Sequence, residues 1–160
     1  MSVLLARMTT IYGPGQANGK QQGLLAHMAR SIVRNHPIQI YVPFDTIRDY
    51  LFVDDAAATV VVNLRALNSQ SRVKTRIVAA EQPTTIAEIV SVFKKLARRA
   101  PRIATSASKL GALYSRRVQF RSVETPKIAS PRRTTLLIGI AQLLAAERAA
   151  FASGANKRGR

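Results

Sequence analysis

The chain has no cysteine among its 160 residues, which excludes disulfide staples, thiolate metal sites and a thiol nucleophile. That absence suits a reducing compartment, and a cytoplasmic location is the expectation. No apolar run reaches about 18 residues, the length a spanning helix needs, so no membrane partner is expected. The opening MSVLLARMTT is short and interrupted by Arg7, unlike a secretory leader. Acidic residues are scarce: eight Asp and Glu stand against 25 Lys and Arg, a net charge of +17. From Lys94 to Arg133 there are 12 basic residues and one acid, Glu124. A field of that sign attracts polyanions, including nucleic acid. Because 18 of the 25 cations are arginine, an arginine-rich genome composition accounts for the same excess equally well.

What is present is enough apolar material, 47%, for one globular domain with a core. The pattern is mixed α/β without internal repeats. Val3 to Ile11 reads as a buried strand closed by Gly13-Pro14-Gly15. Leu24, Leu25, Met28, Ile32 and Val33 recur at helical spacing over 23–34, and His36-Pro37 ends that helix. Ile38 to Val42 alternates like a strand, and Tyr50 to Val53 is a second short apolar run. Asp54 or Asp55 is expected to cap a helix reaching about Leu67. Arg76 to Ala80 reads as a strand. Thr85-x-x-Glu88 forms a capping box ahead of a helix carrying Ile86, Ile89, Val90, Phe93 and Leu96 on one face. A short extended piece over Val118 to Ser122 and a last helix beyond Pro131 complete residues 1–153. Residues 154–160 form a basic flexible tail.

Three stretches carry a resemblance. Arg7-x-x-Thr10-Ile11-Tyr12-Gly13-Pro14 is similar to the Arg-x-x-Asn-Val-Tyr-Gly-Pro of the extended short-chain dehydrogenase/reductase family, the NAD-dependent epimerases and dehydratases of nucleotide sugars. Arg48-Asp49-Tyr50-Leu51-Phe52-Val53-Asp54-Asp55-Ala56-Ala57 resembles that family's Arg-Asp-Phe-x-x-Val-Asp-Asp-x-Ala segment. Pro131 to Ala145 looks like its closing Pro-x-x-x-Leu-x-x-Gly-Ile helix, with Gly139 and Ile140 in place. The likeness is to the second half of such enzymes. It implies the C-terminal, substrate-side part of a Rossmann-like fold that lacks the N-terminal nucleotide-binding strands.

No Gly-x-x-Gly-x-x-Gly follows a strand, so the helix-start cradle for pyrophosphate is missing. None of Tyr12, Tyr41, Tyr50 and Tyr114 is followed four residues later by lysine, so the paired base of the family's proton transfer is missing too. No catalytic residue is therefore assigned. NAD belongs to the complete family enzyme and is not expected to be held by this chain alone. A complementary chain carrying the Rossmann half, or a homo-oligomer, would complete it; an isolated Val3 to Ile11 edge would invite aggregation.

By the same resemblance, Tyr12, Gly13 and Pro14 line the nicotinamide end of the cofactor. Thr10 stands where the family has Asn and would touch substrate with a hydroxyl in place of an amide. Arg48 would hold the diphosphate of the nucleotide sugar, which suits a planar guanidinium; an ion pair with Asp45 or Asp49 is the other reading. Arg121 is a second candidate phosphate ligand. Asp54 and Asp55 read as helix caps before a catalytic acid pair. Arg7 reads as a buried structural arginine without a role. His27 and His36 lie nine apart without clustered carboxylates, so no metal site is expected; His27 shares a solvated face with Arg30 and Arg34. A basic nucleic-acid-binding module and a non-catalytic partner subunit are the alternatives. The scarcity of aromatics between Lys94 and Arg133, Tyr114 and Phe120 only, leaves no base-stacking platform evident.

Overall fold

The structure, a computed structural model, describes residues 2–16, 23–67, 73–105, 117–118, 120 and 133–154. The run from Val3 to Ile11, expected as one strand, is divided. Strand β1 (Val3–Met8) pairs in parallel with β5 (Val73–Val78), Val3 opposite Val73 and Met8 opposite Val78. Strand β2 (Thr10–Tyr12) pairs in parallel with β4 (Ile47–Phe52), Thr10 opposite Tyr50 and Tyr12 opposite Phe52. The change of partner falls at Thr9. Its amide donates to the Val78 carbonyl at 3.1 Å and its hydroxyl to the Asp49 carbonyl at 2.9 Å, so one residue ties both neighbouring strands. β4 also pairs antiparallel with β6 (Pro83–Thr85), and β3 (Ile38–Ile40) pairs in parallel with β7 (Ile103–Thr105). Neither β6 nor β7 is expected from the sequence, because three-residue strands carry too little alternation to register.

Helix α1 (Leu24–Val33) ends on Asn35, which adopts φ 56°. The amides of Asn35 and His36 return to the carbonyls of Ile32 and Ser31 at 3.2 and 2.8 Å, the double closure that a left-handed residue permits after a helix. Helix α2 (Val53–Arg65) departs from expectation at its start. Its N-cap is Phe52, without a side-chain cap, and Asp54 and Asp55 fall inside the first turn. β4 runs straight into the helix, so no loop residue is left to act as cap; the two carboxylates still favour the positive helix end. Helix α3 (Ile86–Leu96) carries the expected capping box. Thr85 Oγ1 accepts from the Glu88 amide at 3.1 Å, and the Thr85 amide donates to Glu88 Oε2 at 2.7 Å. Helix α4 (Leu136–Ala152) begins at Thr135, whose hydroxyl accepts from the Ile138 amide.

The β2–β4 pair separates two apolar clusters. Tyr12 and Phe52 pack with Leu25, Met28, Phe93 and Ile140 from α1, α3 and α4. On the alternate face Leu51 packs with Ala56 and Val78, against Ala6, Ile11 and Val60. The two faces follow from strand alternation. The β1–β5 pair is covered on the Ala6 side only: Leu5, on the other face, is 50% exposed and Val73, at the strand end, 61%. Among the described residues no helix is long and apolar enough to cross a membrane. The expected tail beyond residue 154 lies outside the described residues.

Candidate functional site

The carboxyl ends of β2, β4 and β5 meet around a small cleft lined chiefly by Tyr12, Tyr50, Asp55, Gln82, Arg133 and Thr134. This is the position at which open parallel sheets hold ligands, in the crevice beyond the strand ends. Tyr12 is buried and meets Tyr50 and Phe52 edge to face, with ring centroids 6.5 and 5.6 Å apart. Burial pushes the Tyr12 phenol up to about 12, and the Asp55 carboxylate adds to the effect. Burial also raises the Tyr50 phenol to about 12, against the opposing pull of Arg48. Both rings therefore keep their protons at neutral pH. They can donate hydrogen bonds, and neither is tuned to act as a base.

Two aspartates hold the cleft together. The buried Asp49 accepts from the amides of Ala80 at 2.8 Å and Gln82 at 3.1 Å, fixing the turn after β5. Asp55 accepts from both the amide and the hydroxyl of Thr134, at 2.7 and 3.0 Å. The start of α4 is thereby tied to the start of α2, and Arg133, beside it, donates to the Ala79 carbonyl. Asp55 is thus a clamp across 79 residues of chain and not the helix cap expected from sequence.

The sequence-derived site residues are placed as follows. Thr10, Tyr12 and Arg48 stand on one face of β2–β4, with Tyr50 and Phe52 between them. Thr10 is exposed. Gly13 is buried, and a Cβ there would come within 2.5 Å of Val53 Cγ1, so the turn presses its backbone onto the start of α2. Pro14 is exposed. Arg48 is half-buried, opposite Thr84 in the ladder, and its Nη1 donates to the Ile47 carbonyl at 2.8 Å. Asp49, one of the two acids considered for an ion pair with Arg48, has its carboxylate on the amides of Ala80 and Gln82 instead. Arg121 lies outside the described residues. The Val118 amide donates to the Ile47 carbonyl at 3.2 Å, which sets Val118 beside the strand end bearing Arg48.

Two further expectations are corrected. Arg7 is exposed, because alternation turns it away from the face that α2 covers. Arg30 is not on a solvated face: its Nε meets Glu147 Oε1 at 3.1 Å and its Nη2 donates to the Gln16 carbonyl at 2.6 Å. His27 beside it is exposed as expected. Tyr50, Arg133 and Thr134 were not expected at the site. The alternation of Arg48-Asp49-Tyr50 could have pointed to Tyr50, but no spacing rule joins Asp55 to Thr134.

The fold defined by these elements is that of the Rossmann-like nucleotide-sugar epimerases. Residues 1–78 match the profile of the NAD dependent epimerase/dehydratase family. No curated protein sequence matches the chain. Among solved structures, MoeE5 in complex with UDP-glucuronic acid and NAD superposes with a TM-score of 0.78 at 21% identity, over 93% of this chain and 48% of that one. UDP-glucuronic acid 4-epimerase from Bacillus cereus, in complex with UDP-glucuronic acid and NAD, gives a TM-score of 0.76 at 16% identity, over 91% and 45%. UDP-glucose 4-epimerase from Thermotoga maritima, with UDP-glucose, gives 0.72 at 19% identity, over 92% and 46%. The chain thus spans a little under half the length of these structures.

Proposed function

We propose that this chain is the C-terminal, substrate-side portion of an NAD-dependent nucleotide-sugar epimerase or dehydratase, binding the sugar nucleotide and leaving the hydride-transfer machinery to another part of the fold. The observation that carries this reading is the common face of Thr10, Tyr12 and Arg48, beside a cleft at the strand carboxyl ends, in a segment that matches the epimerase family. In this reading Arg48 holds the diphosphate, and Tyr12 and Tyr50 donate hydrogen bonds as neutral phenols.

NAD supplies the hydride acceptor in the family, and the starts of α2 and α3 do not offer a dinucleotide cradle. α2 and α3 follow their strands without a glycine loop, and Asp54, Asp55 and Glu88 occupy their first turns. Carboxylates there would repel a pyrophosphate at the very helix ends that could attract one. The half-bare β1–β5 pair supports the same reading, since parallel strands are ordinarily covered on both faces. A complementary chain or segment with the remaining strands is the partner this surface suits.

Titration with UDP-glucose and UDP-glucuronic acid, followed by amide and tyrosine ring shifts in NMR spectra, tests the proposal. Shifts concentrated at Tyr12, Tyr50 and Thr84 are expected. Arg48→Gln is expected to weaken binding about tenfold or more, the loss of a charge-assisted contact worth roughly 1.5–3 kcal/mol. Binding unaffected by Arg48→Gln would remove its assigned role, and no binding of either compound would remove the proposal.

A further inference from the structure

Most of the described cations lie outside the lining of the cleft. The last turns of α1 and α3 and the lead into β7 converge at the amino ends of β3 and β7. The Ile38 amide donates to the Arg102 carbonyl at 2.8 Å, and Arg102 Nη2 donates to the Asn35 carbonyl at 2.6 Å. From the third side, Arg148 on α4 reaches the Leu96 carbonyl at 3.5 Å. Arg102 and Arg148 thus occupy carbonyls at the helix ends. Lys94, Lys95, Arg98 and Arg99 stand exposed around them, more positive charge than two helix C-termini need.

Among the described residues 89–105 no acid offsets this charge. No Asp or Glu occurs from residue 89 to 123. Four of the described carboxylates are engaged elsewhere: Asp49 on Ala80 and Gln82, Asp55 on Thr134, Glu88 at the far end of α3, and Glu147 on Arg30. We propose that this end of the molecule is a second binding site, for the phosphate backbone of duplex nucleic acid, read without regard to base sequence.

The chemistry of the patch selects among polyanions. The exposed large apolar side chains lie in β1, β5, α2, α4 and the Tyr41–Phe44 turn, outside residues 34–36 and 94–102. Among the described residues 34–36 and 94–102 there is therefore no wedge to insert into a bilayer and no ring on which an unpaired base could stack; the exposed Phe151 lies a turn beyond Arg148 on α4. What remains is a cluster of flexible cations, which contacts backbone phosphates and releases their counterions.

Fluorescence anisotropy of a labelled DNA duplex, measured across salt concentrations, tests this. Four to five phosphate contacts predict a slope of log K against log salt of about −4, a loss of roughly 250-fold between about 50 and 200 mM. The variant Lys94→Gln, Lys95→Gln, Arg98→Gln, Arg99→Gln should flatten the slope to about −1 or less, with an unchanged circular dichroism spectrum. A control removing four cations elsewhere, Arg7→Gln, Arg65→Gln, Lys74→Gln and Arg117→Gln, carries the same net charge and should keep most of the slope. Equal losses in the two variants would show a net-charge effect and overturn the site. Polyglutamate or phosphatidylserine vesicles binding as tightly as the duplex would overturn the assignment to nucleic acid. No duplex binding at low salt would overturn both.

Discussion

At the scale of single residues, the cleft depends on close fits that tolerate little change. Gly139 lies against Tyr12: a Cβ there would strike the Tyr12 hydroxyl and come within 3.0 Å of the Phe52 ring. Gly139→Ala should therefore displace Tyr12 and destabilise the fold by about 1–3 kcal/mol, the usual cost of overpacking, as urea denaturation would measure. Asp49→Ala would remove the buried carboxylate that accepts from the amides of Ala80 and Gln82 and should cost about 1–3 kcal/mol. Asp54→Ala, at an exposed position in the same segment, should change stability little. The two phenols give a further signature. Each has a folded value of about 12 against the usual 10, so the fold favours the neutral form. The stability they contribute is complete below about pH 10 and is lost as pH rises through about 12. Among the described tyrosines, spectroscopic titration should find Tyr12 and Tyr50 ionising late in the native chain, and Tyr50 alone in Tyr12→Phe.

At the scale of elements, the sequence is legible where local chemistry decides. The Thr85–Glu88 capping box and the apolar face behind it appear as read, because both are set within one helix. The box also yields a pH prediction. Hydrogen bonds from the Thr85 amide and hydroxyl hold the Glu88 carboxyl below its usual 4.5. Its stabilisation is present above about pH 4.5 and is lost as pH falls through the lower folded value. Glu88→Gln should remove that part of the acid dependence of unfolding. Elsewhere tertiary pairing decides. The break at Thr9 is invisible along the chain, because Val3 to Ile11 reads as one largely apolar run and only the change of partner from β5 to β4 divides it. The capping role expected of Asp54 or Asp55 fails because β4 leaves no loop before α2. The β1–β5 pair predicts behaviour as well. Leu5→Lys should reduce self-association in light scattering without lowering the melting temperature, since Leu5 leans on no described core cluster.

At the scale of the whole molecule, two regions differ in character. The cleft draws its residues from positions 12–84 and from the start of α4, and its aspartates are committed to backbone amides. The basic end draws on α1, α3 and the approach to β7. Of the residues read from the sequence, Tyr12 lines the cleft, and Thr10 and Arg48 share its strand face because β2 and β4 pair in register. Thr134 and Arg133 were not legible, since their place depends on a clamp between distant segments. The central claim is that this chain binds the sugar nucleotide and not the dinucleotide, and its most direct test is calorimetric titration of the purified chain with UDP-glucose and with NAD side by side. The account predicts heat of binding with UDP-glucose, weakened by Arg48→Gln, and none with NAD. Binding of NAD by this chain alone, with UDP-glucose inert, would contradict it.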